Sequence, residues 1–201
     1  MVWWPLHRSA EVSMLEQWTR ELREQVLADA ETPSGVLRAL RGGAELESIH
    51  LDARGRWWHE GAVFTNEKLS LLFSRSVYQT EGGVWFLRVG SQSYPITVAC
   101  TGYFAERLLS ERALTQLVLT TGEQVETGLS GWMTDGGERL GVRLADGRDV
   151  RLVGAAHQMA VSLVESTEDG WQLLLGQGIG ALQAWPEVAR GLRLPMEATQ
   201  G

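Results

Sequence analysis

Closely spaced turn signals are the feature that most constrains how this chain can fold. Asp-Gly pairs occur three times in its second half, with short alternating apolar runs between them. Asp-Gly is typical of two-residue β-hairpin turns, whereas a parallel strand pair needs a helical crossover. Only residues 65–75 offer such a helix between strands. The spacing therefore predicts an α+β fold with antiparallel sheets, in strand clusters at 46–100 and 114–176.

The N-terminal part of the chain has a different, helical pattern. Apolar residues recur from Leu15 to Val26 at the spacing of one helix face, which predicts a helix over residues 9–30. A second, short helix is expected at 35–41. The chain is thus divided into an N-terminal helical segment at 1–43, a first β-rich subdomain with one helix at 44–105, and a second β-rich subdomain with a C-terminal tail at 106–201.

The helix of the first subdomain has a cap and an apolar face. Thr65 is placed to cap a helix over residues 66–75, with Leu69, Leu72 and Phe73 directed towards the core. The remaining local expectations are a hinge or connecting helix at 102–112, a strand at 159–164 and a short terminal helix at 186–193.

Charge and hydropathy exclude several classes of partner. The chain has 201 residues and a formal net charge of −7, from 18 basic and 25 acidic residues. Such a charge repels nucleic-acid phosphates and anionic lipid surfaces, so neither nucleic acid nor membrane is an expected partner. No apolar run approaches the roughly 20 residues of a membrane span. The first eight residues lack the pattern of a signal peptide, so a cytoplasmic location is expected.

Motifs that carry chemistry are scarce. Cys100 is the only cysteine, so the chain cannot form an internal disulfide. No cysteine or histidine spacing indicates a metal site. The glycine-rich run at 176–180 lacks the spacing of a dinucleotide fingerprint, and no Walker lysine follows it. Neither a metal nor a cofactor is therefore expected.

One stretch carries a family pattern. Residues 52–61 read Asp-Ala-Arg-Gly-Arg-Trp-Trp-His-Glu-Gly, and after a capped helix residues 94–104 read Tyr-Pro-Ile-Thr-Val-Ala-Cys-Thr-Gly-Tyr-Phe. Over residues 46–105 this pattern resembles the bacterial domain of unknown function 1285 (DUF1285) family. Cys100 and Gly102 stand where the family has an acid and a proline.

The resemblance has implications for both fold and function. It implies two related β-rich domains, the second loosely similar to a pleckstrin-homology fold. It also implies binding between the domains and a part in signalling, without an established catalytic activity.

The leading hypothesis is a non-enzymatic binding or regulatory module that takes a small ligand or a protein partner at a cleft between the subdomains. The chain is predicted to form a β-hairpin from strands at 47–51 and 56–59, joined by a turn at 52–55. Exposed aromatic residues near this hairpin favour the binding hypothesis, and Trp57 and His59 share one face of the second strand. The candidate ligand-binding residues are Trp57, His59, Glu60, Arg88 and Cys100.

Two alternatives belong to other functional classes. The first is a cysteine-dependent enzyme in which Cys100 acts with His59 or His157 as its base. A thiol at the start of a helix over residues 103–112 would have a lowered pKa, as this chemistry requires. The second is an interaction protein that docks through the amphipathic N-terminal helix, for example as a homodimer.

Overall fold

The computed structural model describes residues 19–111, 114–135, 139–168 and 170–185. The helices in these ranges are α1 at 19–28, α2 (Ser34–Arg41), α3 (Glu67–Ser76) and α4 (Gly154–Val161). The strands are β1 (Ile49–Leu51), β2 (Trp57–His59), β3 (Ala62–Val63), β4 (Val77–Gln79), β5 (Trp85–Val89), β6 (Gln92–Pro95), β7 (Thr97–Val98), β8 (Tyr103–Glu111), β9 (Leu114–Leu119), β10 (Gln124–Thr127), β11 (Trp132–Thr134), β12 (Leu140–Arg143), β13 (Asp149–Leu152), β14 (Val164–Thr167), β15 (Gly170–Leu175), β16 (Gly178–Ala181) and β17 (Gln183–Ala184). The α+β class with several antiparallel β-rich regions is confirmed.

The described chain divides into two compact units. The first unit consists of residues 19–52 and Arg56–Ala99, and the second of Ala53–Gly55 and residues 100–185. The three-segment organisation and the pleckstrin-homology likeness stay predictions.

The first unit contains two small sheets. One has the strand order β3-β2-β1-β7, in which β1 runs antiparallel to β2 and parallel to β7. The other has the order β4-β5-β6 and is antiparallel throughout. The predicted turn between β1 and β2 is present, with a φ of +78° at Gly55, where glycine has no steric penalty.

Both N-terminal helices are confirmed where the structure describes them. The apolar faces of α1 and α2 pack together against strand β5 and the residue before it. The buried residues of this cluster are Leu22, Val26, Val36, Leu40, Val84 and Phe86. Residues 9–18 of the predicted first helix lie outside the described residues. Because Leu22 and Val26 are one turn apart, burial of both follows from the helical period.

α3 differs from its prediction in cap and orientation. Asn66 is the N-cap in place of Thr65, and its side-chain oxygen accepts the Leu69 N–H at 3.2 Å. Phe73 is buried as expected, but Leu72 is 46% exposed, so its predicted inward orientation is wrong. Adjacent residues on a helix are about 100° apart, so Phe73 is buried and Leu69, one turn before it, is half-buried, while Leu72 is directed to solvent.

The second unit is built on a seven-stranded sheet of order β10-β9-β8-β13-β12-β11-β17. Most neighbours are antiparallel, but β8 pairs with β13 and β11 pairs with β17 in parallel. One face of this sheet is closed by α4, through Ala156 and Ala160. The core on that face is the cluster Ala105, Leu108, Leu117, Leu119, Trp132, Leu140, Val142, Leu144, Val150, Leu152, Ala156, Ala160, Leu173 and Leu175.

Two predicted elements of the second unit are wrong. Tyr103–Glu111 forms the interior strand β8, not a hinge or a connecting helix, because it pairs with β9 on one side and β13 on the other. Part of the strand predicted at 159–164 is helix α4, since Ala156 and Ala160 bury one helical face on the sheet.

The second unit also contains a smaller sheet. Its strands β14, β15 and β16 are antiparallel, and β17 of the seven-stranded sheet follows them in the chain. The terminal helix predicted at 186–193 and the tail beyond it lie outside the described residues. No helix in the described ranges is long and apolar enough to cross a membrane.

Candidate functional site

Trp57 lies in the core of the first unit. Its side chain is 2% exposed, and its indole N–H donates to Ser74 Oγ at 3.0 Å. The Phe73 ring meets it edge-on, with 5.3 Å between the ring centroids. A covered indole with a satisfied donor stabilises the unit, so Trp57 is a core residue and not the exposed aromatic residue expected here.

His59 and Glu60 are at the end of the same strand, near solvent. The His59 Nε2 atom lies 3.5 Å from Glu47 Oε2, and its ring stacks on Phe64 with centroids 6.1 Å apart. Glu60 is exposed and has a φ of +49° at the start of the turn to β3. Phe64 also contacts Phe73 edge-on, so Trp57 and His59 flank one aromatic cluster.

Arg88 lies on the other sheet of the first unit. It is exposed on β5, and its guanidinium carbon lies 4.7 Å from the centre of the Tyr78 ring. This is a cation–π contact at a solvent-exposed position. The contacts of Arg88 are therefore with a different set of residues from those of Trp57 and His59.

Cys100, the fifth candidate, belongs to the second unit. Its side chain is 8% exposed, and the Arg151 Nη1 atom donates to its Sγ at 3.5 Å. Burial raises the pKa of the Cys100 thiol, and the positive charges of Arg151 and Arg139 offset only part of that effect. The thiol is therefore neutral near pH 7, whereas a nucleophile requires the thiolate.

Neither a helix N-terminus nor His157 is positioned to activate the thiol in the described part of this unit. Residues 103–111 form strand β8, so no helix N-terminus follows Cys100. His157 is on α4, which covers the opposite face of the sheet from Arg151, the hydrogen-bond donor to the thiol. His157 is thus separated from Cys100 by the sheet itself.

A row of cross-strand partners runs beside Cys100. Met133, Gly141, Arg151 and Phe104 are paired in register across β11, β12, β13 and β8. Directly paired residues point to the same side of a sheet, so this row lies opposite the α4-covered core. The Trp185 ring covers Gly141, where an added Cβ would be 2.0 Å from Trp185 Cζ3. We refer to this row with Trp185 as the Arg151 face.

Two buried donors on the Arg151 face have no acceptor. Neither the Nε–H of Arg151 nor the indole N–H of Trp185 finds a hydrogen-bond partner among the described residues. A buried donor without a partner costs about 1–3 kcal/mol, and more when it is charged. Such groups are rare in native structures and call for a specific explanation.

The other arginines of this face already have anionic partners. The Arg143 guanidinium binds both oxygens of Asp149, at 2.7 and 2.8 Å. Arg139 Nε lies 3.0 Å from Asp135 Oδ2. In the described part of the chain Arg151 makes no such ion pair, although Asp149, the partner of Arg143, lies two residues away on the same strand face.

Sequence reasoning identified Cys100 but missed Arg151, Arg139 and Trp185. The available signal was the alternation Val150-Arg151-Leu152, because an arginine between two buried aliphatic residues of a strand must point to the opposite face. Within the described ranges no group of three or more His, Cys, Asp or Glu side chains could hold a metal ion.

Comparison with known proteins reveals similarity at the level of fold. No family model and no curated protein matches the sequence significantly. A DUF1285 family protein from Silicibacter pomeroyi DSS-3 has a TM-score of 0.54 and 16% identity, over 69% of this chain and 80% of its own. A DUF1285 family protein from Shewanella baltica OS155 has a TM-score of 0.39 and 13% identity, over 53% of this chain and 84% of its own. The chain has a DUF1285-like fold, as its sequence pattern predicted.

Proposed function

We propose that this chain, with its DUF1285-like fold, is a non-enzymatic binding module with a regulatory role, and that it binds a small ligand at the Arg151 face. The observation that carries the proposal is the Nε–H of Arg151, a buried cationic donor without an acceptor among the described residues. A bound partner is one of the few reasons for a native protein to keep such a group.

The state of Cys100 favours binding over covalent catalysis. Its thiol is buried and accepts a hydrogen bond from Arg151, and its pKa is raised by burial. Nucleophilic catalysis by cysteine needs a base within hydrogen-bond reach and an accessible sulfur. In the second unit the histidine offered as that base, His157, lies beyond the sheet.

Alkylation of Cys100 tests the proposal against the enzyme alternative. The folded protein is treated with iodoacetamide at pH 7.5, and the modified fraction is followed by intact mass. We expect modification far slower than in the urea-unfolded chain, where the same thiol is exposed. The Cys100→Ser variant controls for labelling elsewhere. Stoichiometric modification of the folded protein at or above the rate of a free thiol peptide would overturn the proposal.

A further inference from the structure

The missing acceptors on the Arg151 face have a common chemistry. Arg151 Nε and Trp185 Nε1 are both N–H donors, and neither can accept a hydrogen bond. A ligand that satisfies them must therefore present acceptor atoms. Gly141 is the cross-strand partner of Arg151 and is covered by the Trp185 ring, so the two donors belong to neighbouring positions on one face.

The local charge indicates what kind of acceptor fits. On this face of β11, β12 and β13 and at their ends, Arg139 and Arg143 are each paired with an aspartate. Among the described residues Arg151 makes no ion pair of its own, so its guanidinium is free of a directly bound carboxylate. A ligand group with one negative charge balances the guanidinium, whereas a phosphate dianion would bring an excess negative charge towards Asp135 and Asp149.

We propose that the ligand of the Arg151 face is a small organic acid, whose carboxylate accepts hydrogen bonds from Arg151 and from the Trp185 indole. The planar guanidinium presents its N–H donors in a fork that matches the two carboxylate oxygens. This inference rests on the proposed function and adds the chemical class of the ligand.

The surroundings of the arginine favour a carboxylate over a solvent molecule. Met133, Phe104 and Trp185 are all at least nine-tenths buried, so the guanidinium is bordered by apolar surface. Charge-assisted hydrogen bonds are strong where water is excluded, because the effective dielectric constant is low. Cys100 completes the border as a neutral thiol that accepts from Nη1 and leaves Nε for the ligand.

Titration with simple acids tests this assignment. The wild-type chain is titrated with acetate, succinate and glutarate, and with inorganic phosphate and acetamide, by calorimetry and thermal shift at constant ionic strength. We expect saturable binding of a carboxylate and none of acetamide. The Arg151→Met variant should weaken that binding by about ten- to hundred-fold, because it removes a charge-assisted donor pair. Trp185→Phe should weaken it less.

The apo protein provides a second, independent measurement. Because Arg151 carries an unsatisfied donor in the apo protein, Arg151→Met should leave the melting temperature unchanged or raise it. The methionine side chain has no hydrogen-bond donor that needs an acceptor. Arg107→Met is the matched control, since Arg107 is an exposed arginine on β8 of the same sheet. It should change neither acid binding nor the melting temperature.

The outcomes separate this inference from the proposed function. Binding of phosphate in place of the acids, dependent on Arg151, would overturn the carboxylate assignment and leave the binding module intact. Acid binding that is unchanged in Arg151→Met would overturn the inference. A large fall in the melting temperature of apo Arg151→Met, with no change in acid binding, would also overturn it. Failure of the proposed function is read separately, from rapid alkylation of Cys100 in the folded protein.

Discussion

His50 makes the stability of the first unit sensitive to acid. Its side chain is buried on β1, with Nδ1 2.9 Å from Thr97 Oγ1 on the paired strand β7. Burial lowers the pKa of His50 from 6.5 to about 4, although the nearby Asp52 and a hydrogen bond with Thr97 raise it in part. The folded state therefore holds His50 neutral at pH values where the unfolded chain binds a proton.

The sign and size of the effect follow from that difference. The folded pKa is depressed, so stability is highest above pH 6.5 and falls as the pH drops towards 4. The loss is about 2 kcal/mol at pH 5 and about 3 kcal/mol when complete. Urea unfolding followed by tryptophan fluorescence between pH 7.5 and pH 5 measures this loss.

Substitution isolates the contribution of His50 from that of other titrating groups. In His50→Gln the loss between pH 7.5 and pH 5 should shrink by about 2 kcal/mol relative to wild type. Coincident pH profiles of wild type and His50→Gln would refute the reasoning.

Three further predictions concern the second unit. Gly141→Ala places a Cβ 2.0 Å from the Trp185 ring and 2.7 Å from the Val150 carbonyl oxygen. Thermal melting should therefore show a destabilisation of about 1–3 kcal/mol or more. An unchanged melting temperature would contradict the packing described. Leu117→Ala leaves a cavity at a fully buried position and should lower the free energy of unfolding in urea by about 2–5 kcal/mol. Leu72→Ala in the first unit changes an exposed position and should lower it by about 0.5 kcal/mol or less. Equal losses would contradict the burial of Leu117. Thr101→Val removes the hydroxyl that donates to the Asp149 carbonyl and accepts from the Tyr103 N–H, so the free energy of unfolding should fall by about 1–3 kcal/mol. Thr101→Ser keeps the hydroxyl and should be close to wild type in the same urea measurement.

Hairpins were the part of the fold that the sequence could predict. The strands β12 and β13 and the turn between them were anticipated, because Asp146-Gly147 sets a local connection and Gly147 has the left-handed φ of +88° that the turn needs. The helix α2 was also anticipated from local sequence, because Gly42 and Gly43, which end it, directly follow its last residue.

Elements that depend on distant partners could not be predicted. Tyr103–Glu111 lies inside the sheet because β13, far along the chain, pairs with it in parallel on the side opposite β9. Nothing in the residues of β8 alone identifies that partner. α4 was missed because its buried face consists of the small residues Ala156 and Ala160, which give little contrast between an apolar and a polar side.

The candidate site shows the same division between local and distant information. Cys100 could be singled out by residue type alone, but its pKa depends on burial and on Arg151, which the β8–β13 pairing brings to it. Trp185 could not be placed without the pairing of β17 with β11. Whether Trp57, His59, Glu60 and Arg88 bind a ligand stays a prediction.

A thermal-shift screen of the wild-type chain and of Arg151→Met tests the binding module most directly. The panel covers organic acids, amino acids, nucleotides and phosphorylated head groups. A ligand at 100 times its dissociation constant adds about 2.7 kcal/mol to stability, a rise of roughly 5 °C or more in a chain of this size. We predict such a shift for an acid in the wild type, and a smaller shift or none in Arg151→Met. A flat screen, or an equal shift in the two proteins, would contradict a binding site at Arg151.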